Sequence, residues 1–337
     1  MRQIVWISRL KGHSGFATAS REYVNALLPL VESLAVAPLE VLDPGDPLRP
    51  YLVSMPLRGD EFKVVNHHPT MDPEADCYFS VCEFDRISSE WASILSKAQL
   101  VLAQSTFCTG IFSKAIETSA NVHVIPYIIP RAYVPDGEQN RLFPEDVFVF
   151  GSVFEWVPRK VPARTIQAFI EEFDSDEPVR LVLKTTHPDG LDPDQLVKEI
   201  STDERVITFT EDLPDLAAFY RGFDAYISCT AGEGYGQTLA EAMACGVPTI
   251  AARNGGNLDF MNDDNSYLVD VDDWSYAFTE DGEEFRWRLP KIESIRARMR
   301  EVYEKKPRDY DTTKFRSKFT PDRIGNKLRE ILLEAMS

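Results

Sequence analysis

An alternation of short apolar runs with stretches of helical spacing, gone through twice, constrains this chain more than any other feature. In the first half, residues 4–7, 63–65, 77–81, 100–103 and 122–125 read as buried strands, and helices are expected over 16–28, 88–96 and 105–117. Prolines and charges then interrupt the pattern over residues 126–144, which reads as a linker joining two rigid bodies. The second half restarts with strands at 147–150, 179–183, 206–209, 225–228 and 249–251, and helices at 162–172, 193–200, 216–221 and 237–244. Near the C-terminus, Ile324, Leu328, Ile331 and Leu332 fall at helical spacing, so 321–336 is expected to be an amphipathic helix. Two α/β halves suggest a ligand cleft between domains.

Charge and cysteine content narrow the partners. The formal net charge is -18, which argues against nucleic acid and against adhesion to anionic lipid. Five cysteines, an odd number with no CxxC pair, point to reduced buried thiols rather than a disulfide or zinc framework. The N-terminal segment lacks a long apolar run, and no stretch suits a transmembrane helix. A cytoplasmic enzyme with no transmembrane segment is the expectation, and the oligomeric state is left open.

The strongest chemical signal is Glu233-Gly-Tyr-Gly-Gln-Thr-Leu-Ala-Glu241, just past the expected strand 225–228. Gly234 and Gly236 let backbone approach a ligand, and a helix starting near Gln237 would aim N–H groups at an anion. Glu233 at the mouth could accept from sugar hydroxyls, and Glu241 further along could take the two hydroxyls of a ribose. The competing reading is a glycine-rich turn with solvated carboxylates.

Other candidates are weaker. Arg159 and Lys160 follow the strand 147–150 and could hold a diphosphate, or form an ordinary solvated pair. Lys184, at the end of the next strand, could join them or lie on the surface. The loop Gly12-His13-Ser14-Gly15 is GxxG, a weak phosphate-loop signal against a plain strand–helix turn. His13 there could touch phosphate or acceptor. His67 and His68 follow the strand 63–65, with a functional role and a structural one evenly balanced; adjacent histidines on a strand diverge and suit a metal poorly. Three DxD triplets, at 192–194, 270–272 and 309–311, read as loop acids rather than a metal site.

The spacing of Glu233 and Glu241, within EGYGQTLAEAMACGVPTIAARNGG, resembles the E-x7-E motif of family 4 of the retaining glycosyltransferases. Cys82-Glu-Phe-Asp-Arg-Ile-Ser-Ser-Glu-Trp91 is similar to that family's WE-x-DR-x-P-x-x-W stretch, and residues 101–126 and 254–270 fit its flanking regions. The resemblance implies a GT-B fold: an acceptor-side Rossmann-like domain over 1–135, a nucleotide-sugar-binding one over 136–318, and a terminal helix over 319–337 that crosses back to the first. It assigns Glu233 to the donor sugar, Glu241 to the ribose, and Arg159 and Lys160 to the phosphates. Donor contacts then fall to Gly12, Gly15, Lys184, Gly234, Tyr235, Gly236 and Gln237, and the acceptor or sugar side to His13, His67, His68 and Glu83.

Departures from the pattern are Gly151-Ser152 for Gly-Arg, Val161 for glycine, Ser88 for proline and Cys82 for tryptophan. The reaction implied is transfer of a sugar from a nucleoside-diphosphate sugar, with retention and with no metal or other cofactor. The acceptor could be a glycan, a lipid-linked sugar or a small molecule. The alternatives are a non-catalytic sugar-nucleotide-binding subunit and a GT-B sugar-nucleotide epimerase.

Overall fold

The structure, a computed structural model, describes residues 2–12, 14–43, 45–53, 59–116, 121–186, 190–274, 276–305 and 311–337. The chain forms two units, Met1–Pro130 with Ser317–Ser337, and Arg131–Arg316.

The first unit holds β1 (Ile4–Ser8), α1 (Gly15–Leu27), β2 (Leu34–Pro38), β3 (Phe62–Asn66), β4 (Cys77–Ser80), α2 (Ser89–Leu95), β5 (Leu100–Ala103), α3 (Thr106–Ala115) and β6 (Val122–Val124). Its strands form one parallel sheet in the order β2-β1-β3-β4-β5-β6. Helices cover both faces, so β4 and β5 are buried along their whole length and read as unbroken apolar runs. Val65, Tyr78, Val101, Ala103, Ile111 and Phe112 share one core cluster. The order reverses between β1 and β3, where an open α/β sheet has its ligand crevice.

The second unit repeats the plan with β7 (Phe148–Glu155), α4 (Pro162–Glu172), β8 (Val179–Thr186), α5 (Pro193–Ile200), β9 (Val206–Phe209), α6 (Leu216–Arg221), β10 (Ala225–Ser228), α7 (Gln237–Ala244), β11 (Thr249–Ala252) and β12 (Tyr267–Val269). The parallel order is β12-β11-β10-β7-β8-β9, with the reversal between β7 and β10. An antiparallel hairpin, β13 (Tyr276–Glu280) and β14 (Glu283–Trp287), follows, then α8 (Ile292–Lys305) and α9 (Thr312–Arg316). Phe150, Ile166, Phe169, Leu181, Ile227 and Met299 lie in its core.

The terminal helix α10 (Pro321–Met336) belongs to the first unit. Ile324, Leu328 and Leu332 are buried, and Gly325 lies so close to Ala26 that a Cβ would come within 3.0 Å of that residue's Cβ. Arg329 Nε donates to the Leu30 carbonyl at 2.8 Å.

The proline-rich stretch is not a free linker. Tyr127, Ile128 and Ile129 are buried. Further on, the Arg221 guanidinium donates to the carbonyls of Val134 (3.1 Å) and Glu138 (2.7 Å), and Asn140 N–H donates to Ala218 O (2.9 Å). Residues 131–140 are thereby tied to the second unit.

Candidate active site

At the reversal point of the second unit, the loops after β7 and β10 meet. β7 leads into a turn at Pro158–Lys160, and α4 starts at Pro162. Val161 between them is left-handed (φ 39°), a conformation that costs a β-branched residue strain and a glycine none. The pattern that the sequence resembles carries glycine at this position, and the valine occupies it at the expense of backbone strain.

The turn puts both cations on Glu233. Lys160 Nζ lies 2.9 Å from Glu233 Oε2, and Arg159 Nη1 lies 3.7 Å from the same oxygen. Arg159 Nη1 also donates to Gly232 O at 3.2 Å, and Ala231 N–H donates to Arg159 O at 2.8 Å. The other Glu233 oxygen, Oε1, accepts the Gly236 N–H at 3.1 Å. Burial raises the Glu233 carboxyl, but the Lys160 and Arg159 charges and these hydrogen bonds outweigh it and hold the group below its ordinary value. Lys160 also lines a small pocket with Ser152, Phe154, Pro162, Leu183 and Thr230.

Gly236 caps α7 with φ 97°, where a side chain would be strained. Behind it, the segment after β11 clamps the loop. Asn254 Nδ2 donates to Ala231 O (2.8 Å) and Gly256 N–H to Glu233 O (2.8 Å). A Cβ on Gly255 (φ 94°) would come within 2.3 Å of Glu233 O. Sequence reasoning does not single out Asn254 and Gly255 as site residues; a polar residue and paired glycines directly past a strand are the signal that could find them.

Glu241 is buried within α7, 5% exposed, and its Oε2 accepts the Tyr220 hydroxyl at 3.0 Å. Gly234 and Tyr235 are also buried, with the Tyr235 ring against Phe260 (centroids 5.2 Å), so the tyrosine contributes packing. Gln237 is half-buried at the first turn of α7. Lys184 pairs in register with Val153, while its neighbour Leu183 pairs with the pocket-lining Ser152. Side chains alternate along a strand, so Lys184 faces the opposite side of the sheet from that pocket. Burial lowers the Lys184 ammonium, partly offset by Asp212.

In the first unit, the remaining described candidates lie at the carboxyl ends of β1, β3 and β4. Gly12 is left-handed (φ 84°), and Ser14 caps α1, its side chain accepting from Ala17 N–H. Gly15 is the first residue of α1, and His13 lies outside the described residues. His67 is buried and stacks on Phe16 (centroids 4.6 Å); exposed His68 stands beside Trp91 (5.0 Å). Among the described residues, the buried His67 Nδ1 has no hydrogen-bond partner. Burial, then His68 and Arg9, push its imidazole down to about 4.

Glu83 is half-buried in the loop after β4. Two departures there have local substitutes. The Cys82 thiol donates to the Arg86 carbonyl (3.3 Å), closing the loop, and the Ser88 hydroxyl caps α2 by accepting from Trp91 N–H.

Described acids of two triplets support helices, Asp270 of the third pairs with Arg253 (3.7 Å), and Asp309 lies outside the described residues. Asp192 caps α5, Asp194 pairs with Lys198, and Asp311 accepts from Lys314 N–H. Among the described residues, no three His, Cys, Asp or Glu side chains converge as metal ligands, and no helix is long and apolar enough to cross a membrane.

Residues 144–283 match the family model described as "Glycosyl transferases group 1". No curated protein matches in sequence. Among solved structures, the chain is similar to HepE from Anabaena, in complex with UDP and glucose (13% identity, TM-score 0.67, covering 99% of this chain and 100% of that one). It is similar to the sucrose-phosphate synthase of Thermosynechococcus elongatus (13%, 0.69, 99% of each chain). It is also similar to WaaG, a glycosyltransferase involved in lipopolysaccharide biosynthesis (12%, 0.66, 98% of each). Residues 144–283 thus match the group 1 glycosyl transferase model, and by structural likeness the whole chain has the GT-B fold.

Proposed function

We propose that this protein transfers a sugar from a nucleoside-diphosphate sugar to an acceptor, with retention of anomeric configuration and without a metal ion. The observation that carries the reading is the convergence of Lys160, Arg159 and the Gly236 amide on one carboxylate, Glu233, at the reversal point of the second sheet. A nucleoside diphosphate leaving group gains negative charge as the glycosidic bond breaks. Two fixed cations and backbone amides stabilise that charge without reorganising, usually the largest catalytic contribution. Glu233 then orients the donor sugar and Glu241 holds the ribose. The departing phosphate takes the acceptor's proton. Retention rests on the E-x7-E resemblance. The five buried, unbridged cysteines suit a reducing compartment such as the cytoplasm.

The neighbours support the donor class, since HepE was solved with UDP and with UDP-glucose. The test is a thermal-shift panel of UDP, GDP and ADP with their common sugar derivatives. Ligand at 100 times its Kd stabilises the native state by about 2.7 kcal/mol, so the true donor nucleotide raises Tm clearly. A panel that leaves Tm unchanged at millimolar ligand contradicts the reading.

A further inference from the structure

Tyr220 lies on α6, outside the glutamate motif, yet it is fully buried and its hydroxyl lies 3.0 Å from Glu241 Oε2. Tyr133 and Tyr226 stand against its ring (5.9 and 5.3 Å between centroids). The ring therefore has one place to be. Tyr226 is itself fixed, its hydroxyl donating to Val153 O at 3.1 Å on β7. A short chain of buried phenols thus runs from the strand that leads to Arg159 and Lys160 to the carboxylate on α7.

We infer that Tyr220 is a positioning residue for Glu241, holding its carboxylate in the plane that lets it accept the hydroxyls of a ribose. The inference rests on the proposed role of Glu241. A glutamate side chain has three rotatable bonds, and its ordering would otherwise be charged against binding. A phenol donor locked by aromatic neighbours removes that cost in advance. Burial and the Glu241 charge push the Tyr220 hydroxyl well above its ordinary value, so it remains a donor throughout the working pH range. Its target is ribose recognition, not the bond being broken.

The experiment is calorimetric titration of the whole chain with UDP and GDP, each beside its 2′-deoxy counterpart. It compares wild type, Tyr220→Phe, Glu241→Ala and the double variant. In Tyr220→Phe, affinity for the ribonucleotide falls about tenfold, the scale of one charge-assisted hydrogen bond, while the 2′-deoxy nucleotide, which keeps only the 3′-hydroxyl contact, loses clearly less. Turnover at saturating donor stays near wild type, so the loss appears in KM. Adding Tyr220→Phe to Glu241→Ala changes nothing further, the sign of a shared effect. The ribose-to-deoxyribose ratio is read within each variant, so partial unfolding does not imitate the result. Equal weakening of both nucleotides, or an unchanged ratio in Tyr220→Phe, overturns the inference alone. A wild type that does not prefer ribose, or a Glu241→Ala that keeps the preference, overturns the Glu241 assignment and the inference with it.

Discussion

Lys160 Nζ and Glu233 Oε2 form a 2.9 Å ion pair whose side chains are only 11% and 12% exposed. Each charge is thereby taken from water, and each depends on the other. The carboxylate also takes an amide at the start of α7, so its charge offsets part of the attraction that these donors exert on an anionic ligand. Glu233→Gln removes the charge and keeps the shape. Free UDP or GDP, whichever the protein binds, should then bind more tightly, while transfer slows because the sugar loses its carboxylate contact. Titration calorimetry beside a transfer assay measures both; weaker nucleotide binding in Glu233→Gln contradicts this role for the pair.

Gly255 holds the Glu233 loop by closeness. Its φ of 94°, and the 2.3 Å that would separate an added methyl carbon from Glu233 O, leave no room for a side chain. Gly255→Ala should shift the loop and lower turnover by about 100-fold, the effect of a misplacement near 1 Å at a reacting centre. Near-normal activity would show that the clamp does not position Glu233.

Val161 offers the opposite case. A left-handed β-branched residue stores roughly 1–2 kcal/mol, and glycine at the same φ of 39° does not. Glycine also adds backbone freedom to the unfolded chain, which offsets about 0.5–1 kcal/mol. Val161→Gly should therefore leave Tm equal or slightly raised in thermal denaturation. A fall of several degrees would place the valine's worth in packing instead.

His67 makes stability depend on pH. Its folded value, about 4, lies below the ordinary imidazole value, so the unfolded chain binds a proton first as pH falls. Stability from keeping it neutral is complete above about pH 6.5 and is lost between there and about pH 4, with a slope of up to about 1.4 kcal/mol per pH unit. Denaturant titrations at pH 7, 6 and 5 on wild type and His67→Gln read this out. Identical pH dependence in the two proteins contradicts the assignment.

Much of the molecule is legible in its sequence, for physical reasons. α4, α5 and α10 begin where expected because Pro162, Pro193 and Pro321 stand at the first helical position, where a missing N–H costs nothing. The glutamate motif and the basic pair are visible as residues, and the pairing of Lys160 with Glu233 is not, because 73 residues separate them. β2 escapes notice because Leu34-Ala-Val-Ala-Pro38 is short and rich in alanine, a weak strand former. The hairpin β13–β14 escapes it because charged residues interrupt its aromatics, which hides the strands in a stretch that resembles loop. Tyr220 lies in a helix that the spacing does locate, but its partner emerges only when α6 and α7 are packed together.

Sugar transfer in the presence of a chelator, by wild type and by Lys160→Ala with Tm followed in parallel, decides whether fixed cations rather than a metal ion stabilise the leaving diphosphate. Full wild-type turnover in chelator is expected, with a fall of about 100- to 1,000-fold in kcat for the variant and a smaller change in donor affinity. Wild-type activity abolished by chelator and restored by manganese, or near-normal turnover in a folded Lys160→Ala, would contradict it.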